Sequence, residues 1–254
     1  MKFAVITLFP EILAALHVGI VGKALQRQLL DVSALNPRDY TEDKHRTVDD
    51  SPFGGGPGMV IMAMPLHQAV LAAKAQLPNA KVVYLSPQGK RFDQQLAKKA
   101  AEAGDLIMIA GRYEGIDQRI IDECVDEEWS LGDYVISGGE LAALVMIDAI
   151  ARCIPGVVGD ADSVSEDSFY QGLLKHPQYT RPENYNGWDV PKVLLGGNHR
   201  DITRWRKKHS LGATWLKRPD LLEEAALSKE AQMLLNEFIV EHKKLSRANE
   251  EETS

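Results

Sequence analysis

Three glycine-bearing segments hold the residue types best suited to ligand chemistry: Ser86-Pro87-Gln88-Gly89, Gly111-Arg112-Tyr113-Glu114-Gly115 and Ser137-Gly138-Gly139. Each follows a short apolar run that reads as a strand. In an open α/β sheet the carboxyl ends of the strands form the edge where ligands bind, and glycine lets backbone amides and carbonyls come close to them. One such segment alone is more often a simple turn, but the shared position of all three points to one pocket. The chain has neither G-x-x-x-x-G-K-[ST] nor G-x-G-x-x-G, the glycine signatures that cradle phosphates, so a phosphate-bearing nucleotide is disfavoured. The acids Glu114 and Asp133 in and near these segments suit a ligand with a positive centre and sugar hydroxyls. S-adenosylmethionine has both.

The elements that must position these loops follow from the apolar pattern. Phe3–Phe9, Val82–Leu85 and Leu106–Ile109 have the length and character of strands buried on both faces, with helical stretches between them, which predicts a parallel α/β domain. A helix is expected over Phe92–Glu102. A second one, from Glu140 to about Cys153, follows a short strand at Tyr134-Val135-Ile136 and is apolar nearly all round, hence buried. From Pro155 to Tyr170 the pattern gives way to Gly, Asp and Ser, and helices follow, the last with Leu234, Leu235, Phe238, Ile239 and His242 on one stripe. The expected organisation is an α/β domain over residues 1–159, a linker over 160–172, a small helical domain over 173–246 and a tail over 247–254. Residues 42–59, with Lys44, His45, Arg46 and four glycines, form either a plain surface loop or a lid or RNA-contacting loop that orders on binding.

The 254 residues carry a formal charge of −7, which by itself argues against a polyanionic partner. The charge is polarised, however: between Lys192 and Arg218 eight basic residues face the single acid Asp201. Cys124 and Cys153 lie far apart, with no metal-binding or disulfide spacing, and fit a reducing cytoplasm. The apolar start at Phe3 runs into Pro10-Glu11 without a small-residue cleavage site and reads as a strand. The longest other apolar run, Leu141 to Ile147, falls far short of the roughly 18 residues a membrane span needs, so no membrane is expected.

Several segments, in this order, resemble the bacterial tRNA (guanine-N1)-methyltransferase family. They are Phe9-Pro10-Glu11, Gly54-Gly55-Gly56-Pro57-Gly58-Met59, Tyr84-Leu85-Ser86-Pro87-Gln88-Gly89, Gly111-Arg112-Tyr113-Glu114-Gly115-Ile116-Asp117, Gly132-Asp133-Tyr134-Val135, Ser137-Gly138-Gly139-Glu140 and Glu166-Asp167-Ser168-Phe169. The likeness continues through His176-Pro177, Tyr179-Thr180-Arg181-Pro182 and Thr203-Arg204-Trp205-Arg206. It implies a SPOUT-type α/β domain with a deep trefoil knot, an obligate homodimer, and S-adenosylmethionine bound bent inside the knot. By position, the cofactor contacts implied are Tyr84, Leu85, Ser86, Gln88, Gly89, Gly111, Arg112, Glu114, Gly115, Leu131, Gly132, Asp133, Tyr134, Val135, Ile136, Gly138 and Gly139. Ala142 stands where the family pattern has proline.

The same resemblance implies methyl transfer to N1 of the guanosine immediately 3′ of a tRNA anticodon, position 37. Guanine N1 carries a proton at neutral pH, so a base must remove it as the nitrogen attacks the methyl carbon. Asp167 matches the family's base, and Arg152 matches the cation that offsets charge growing on the guanine O6. Arg152 also lies four residues after Asp148 on the predicted helix, so a structural ion pair is the other reading. An anticodon loop is a cheaper substrate than a duplex for a base that must leave its stack. Phosphate contacts would come from the basic C-terminal segment. Mg²⁺ is implied by the resemblance alone, and His209 is assigned no role. Two rival readings are a related methyltransferase with another acceptor, such as ribosomal RNA or a ribose hydroxyl, and a non-catalytic RNA-binding protein. Asp167 argues against ribose chemistry, and the intact glycine motifs argue against lost catalysis.

Overall fold

The computed structural model describes residues 1–159, 167–223 and 225–252, leaving aside the side chains of 245 and 247–252. The chain divides into two compact units, Met1–Ala161 and Asp162–Ser254.

The first unit is built on a five-stranded sheet of β1 (Lys2–Ile6), β2 (Asp31–Leu35), β5 (Lys81–Arg91), β6 (Leu106–Ala110) and β7 (Glu127–Ser130), in the order β2-β1-β6-β5-β7 and parallel throughout. The three apolar runs predicted as strands are the adjacent β1, β6 and β5 at its centre. All five residues of β6 are buried. The two-residue alternation of a strand sends neighbours to opposite faces. Phe3, Val5, Val83, Leu85, Leu106 and Met108 pack on one face, and Ala4, Ile6, Val82, Ile107 and Ile109 on the other.

The first face is covered by α1 (Gly19–Gln26), α3 (Gln94–Ala103) and α5 (Gly139–Ala151), and the second by α2 (Ala63–Gln76) and α4 (Gln118–Cys124). α3 begins where Asp93 accepts from the Leu96 amide at 2.8 Å, two residues later than the predicted start, because a capping side chain and not the apolar Phe92 sets the boundary. α5 buries Ala143, Met146, Ile147 and Ile150, as its composition requires, but leaves Leu141 and Val145 about half exposed.

One predicted strand is absent. Tyr134-Val135-Ile136 is irregular and exposed, not a strand: Val135 is 95% exposed, and Gly132, at φ +153°, turns the chain away from the sheet. The actual edge strand is β7, whose Glu127-Glu128 start hides it from an apolar pattern. The residues 42–59 also contain regular structure, since β3 (Asp49–Asp50) pairs antiparallel with β4 (Val60–Ile61). Asp43 accepts from the amides of His45 and Thr47 at 3.0 and 2.9 Å.

The second unit contains a small antiparallel ribbon, β8 (Asn184–Tyr185) with β9 (Trp188–Asp189), and the helices α6 (Lys192–Leu195), α7 (His199–Lys217), α8 (Asp220–Glu223) and α9 (Lys229–Glu252). Its core gathers Leu211 and Ala231 with Leu234 and Leu235 of the predicted stripe. Gly212 lets α7 meet the Phe238 ring, since a Cβ there would stand 2.4 Å from the ring. α9 continues through 247–252, where the sequence reading places a tail. Of the linker read over 160–172, residues 160–166, Glu166 among them, lie outside the described residues. No helix of the described residues is long and apolar enough to cross a membrane, and Cys124 and Cys153 are free thiols.

Candidate active site

The carboxyl ends of β5 and β6 open into a cavity, and each wall has a local cause. β5 does not stop at its end. It pairs Leu85 with Trp129, then resumes with Lys90 against the same Trp129, so residues 86–89 bulge out of the sheet. Gly89 closes that bulge: a Cβ there would lie 2.3 Å from the Glu128 carbonyl carbon and 2.5 Å from the Trp129 nitrogen. Its need for glycine is therefore a close backbone crossing.

The second wall is the turn after β6. Tyr113 at φ +59° and Gly115 at φ +125° curl it, and the Gly115 amide donates to the Arg112 carbonyl at 3.0 Å. The far end of the 42–59 loop is zipped to this turn, with the Glu114 amide donating to Met59 and the Ile61 amide to Gly115, both at 3.0 Å. The third wall is residues 131–139. Gly139 donates to the Gly111 carbonyl at 2.9 Å, and its own Cβ would meet the Ala110 Cα at 2.7 Å. Glycine is needed here for two backbones to touch.

One buried ion pair ties these walls together. Glu140, fully buried in the first turn of α5, accepts from Arg112 Nε at 2.9 Å and from the Thr7 hydroxyl at 2.8 Å. A second guanidinium nitrogen of Arg112 donates to the Ser137 carbonyl at 3.2 Å, and the group lies 4.4 Å from the Phe9 ring centroid. Burial of a charge is costly unless it is paired and hydrogen-bonded, and both conditions hold. Glu140 also sits where a helix dipole favours a carboxylate. At the cavity wall, burial and the nearby Glu128 carboxylate push the Tyr84 phenol above its ordinary value, so it stays protonated.

Of the residues expected to hold a cofactor, all but Gly89 and Asp133 line this one cavity. Leu85, Leu131, Ile136 and Ala142 supply apolar surface, while Glu114 supplies negative charge. The sequence reading missed Trp129 and Ser130, which also line it. Trp129 lies in the unrecognised β7. Neither catalytic candidate is among the residues lining the cavity. Arg152 closes the far end of α5, a helix whose 13 residues span about 20 Å at 1.5 Å per residue. Asp167 lies in the second unit, in a turn where its carbonyl accepts from Tyr170 at 3.2 Å and its carboxylate meets Lys175 Nζ at 2.9 Å.

The basic segment also changes meaning in three dimensions. Arg204, Lys207 and Lys208 pair with Glu230, Glu237 and Glu241 of α9, and Arg218 pairs with Asp220. Lys192, Arg200 and Lys217 are exposed. His209, without a role from sequence, stacks on Trp205 at 4.0 Å between ring centroids. Among the described residues, one cluster has metal-ligating donors within reach of each other, His67 with Glu123 and Cys124 between α2 and α4. Its imidazole and thiol are not the oxygen ligands Mg²⁺ takes.

Residues 1–224 match the family model described as tRNA (Guanine-1)-methyltransferase TrmD. A protein of Proteus mirabilis named tRNA (guanine-N(1)-)-methyltransferase is 56% identical over 244 residues, covering 95% of this chain and 98% of its own. Proteins of the same name from Photobacterium profundum and Legionella pneumophila are 54% and 55% identical, covering 96% and 95% of this chain and 98% of their own lengths.

Proposed function

Since the chain belongs to the tRNA (Guanine-1)-methyltransferase TrmD family, we propose that it moves the methyl group of S-adenosylmethionine onto N1 of the guanosine immediately 3′ of the tRNA anticodon, position 37. The observation that carries this reading is the cavity at the ends of β5 and β6, where three loops chosen from sequence for cofactor binding converge. It suits the donor chemically. The apolar side chains there would flank the planar base of S-adenosylmethionine, polar groups of the loops would meet its polar edges, and the Glu114 carboxylate would sit near its positive centre.

In the reaction the N1–H bond breaks and its proton passes to the Asp167 carboxylate, while N1 bonds to the methyl carbon. The carbon–sulfur bond breaks and its electron pair stays on sulfur. Arg152 offsets the negative charge that builds on O6, where a fixed cation lowers the barrier. The knot belongs to this reading too, supported by the way residues 137–139 run hard against the end of β6.

So does a homodimer. Arg152 stands a helix length from the cavity of its own chain, and the half-exposed apolar stripe of Leu141 and Val145 on α5 offers a surface for a second copy. Lys192, Arg200 and Lys217 are the residues we assign to tRNA phosphates, and the cytoplasm is where this substrate is met. Mg²⁺ would come with the RNA, and no step above passes through it.

The test is transfer of labelled methyl from S-adenosylmethionine to an unmodified tRNA transcript. We expect label at N1 of the guanosine following the anticodon, and a loss of about 10²- to 10⁴-fold in kcat for Asp167→Asn, the range of general acid–base catalysis. Label at another position would overturn the acceptor, and an unimpaired Asp167→Asn would overturn the base.

A further inference from the structure

The turn that carries Asp167 is closed on itself. The Phe169 amide donates to the Leu173 carbonyl at 2.7 Å, the Gly172 amide to Phe169 at 3.1 Å, and the Lys175 amide to the Ser168 hydroxyl at 2.9 Å. Phe169 takes a positive φ of +69°, a conformation bulky side chains rarely adopt, so the surrounding bonds must hold it there. The turn is also tied to α7, where the buried Thr214 hydroxyl accepts from the Leu174 amide at 2.9 Å and itself donates to the Ser210 carbonyl at 2.7 Å. Across this frame Lys175 returns its ammonium to Asp167 Oδ1 at 2.9 Å, with both side chains about one-third exposed.

We propose that Lys175 is a positioning residue for methyl transfer, an ammonium clamp that fixes the Asp167 carboxylate in the orientation from which it takes the guanine N1 proton. The inference rests on Asp167 being the base. Its physical content is a trade. A neighbouring ammonium makes a carboxylate a weaker base, so the clamp does not help by raising basicity. It helps by geometry, since a catalytic carboxylate loses most of its effectiveness when misplaced by an ångström. A carboxylate held in this way works when proton removal and methyl transfer are concerted, because the N1–H acidity rises as N1 bonds to carbon. Lys175 touches neither the guanine nor the donor in this scheme, so its removal lowers kcat and spares KM.

The experiment measures kcat and the KM values for tRNA and S-adenosylmethionine in the full-length protein, for Lys175→Met, Lys175→Arg, Asp167→Asn and the double variant Asp167→Asn/Lys175→Met, with thermal unfolding as the folding control. The expected result is a kcat about tenfold lower for Lys175→Met with both KM values within about twofold, and recovery of most of the loss in Lys175→Arg. In the Asp167→Asn background the second substitution costs nothing more, since residues acting through one group are non-additive. An additive loss in the double variant, or a raised KM for tRNA with unchanged kcat, overturns the clamp and makes Lys175 an independent RNA contact. Full activity in Asp167→Asn removes the base reading itself, an outcome visible without any Lys175 variant.

Discussion

Replacing Glu140 by alanine tests the framework of the cavity. Its carboxylate is fully buried and takes hydrogen bonds from Arg112 Nε and the Thr7 hydroxyl. The substitution leaves a guanidinium that is about four-fifths buried without its counterion. Breaking a buried pair from one side costs about 3–5 kcal/mol, and the residual exposure of Arg112 puts the expected loss near the lower end, about 3 kcal/mol. For a unit of this size each kcal/mol lowers Tm by about 2–4 °C, so calorimetry should show a drop of about 6–12 °C. Arg112 also holds the Ser137 carbonyl, so S-adenosylmethionine affinity measured by titration calorimetry should fall with it. The double variant Arg112→Met/Glu140→Met removes both charges from the interior and should recover at least half of the stability, although not the affinity. A Tm drop under about 2 °C for Glu140→Ala would refute the reasoning, because it would mean that the pair is not dry enough for its burial to matter.

Gly139→Ala places a Cβ 2.7 Å from the Ala110 Cα and 3.1 Å from the Gly111 nitrogen, both backbone atoms that cannot move cheaply. It should cost about 1–3 kcal/mol in urea unfolding and weaken cofactor binding, whereas Gly196→Ala, whose nearest neighbour would be 3.8 Å away, should be nearly silent. Burial, with the adjacent Lys208 charge, holds the His209 imidazole below its ordinary value. The folded state then prefers neutral His209 while the unfolded chain takes a proton near pH 6.5, so this contribution is present above that pH and is lost as pH falls through the lower folded value. Urea midpoints followed by tryptophan fluorescence should therefore decline as pH falls below about 6.5, and His209→Gln should flatten that decline. The Glu237 carboxylate, hydrogen-bonded by Arg204 and Lys208, is pulled down to about 2. Its contribution should persist at pH 4, where Glu237→Gln would lower the urea midpoint of the protein, though modestly because the group is partly solvated.

Local pattern determined a good deal of this protein. Runs such as Leu106–Ile109, apolar at every position, have only one stable use in a chain with helices between strands, as central strands of a parallel sheet, and three of them came together as β1, β6 and β5. The glycines after them marked the sheet edge where the cavity opens, because close backbone approach leaves a composition signal that needs no partner to be read. What the pattern could not carry was anything whose cause lies across the sequence. β7 begins with two acids because it is an edge strand, so its identity comes from pairing with β5 and not from its own residues. The need for glycine at position 89 comes from Glu128 and Trp129 crossing it, a contact set by folding. The positive excess from Lys192 to Arg218 was real as a count, yet three glutamates 23 to 33 positions away on α9 pair with Arg204, Lys207 and Lys208, since charge acts through space and not along the chain. The pairing of Arg112 with Glu140, and of Asp167 with Lys175, joins residues by distances that only folding sets.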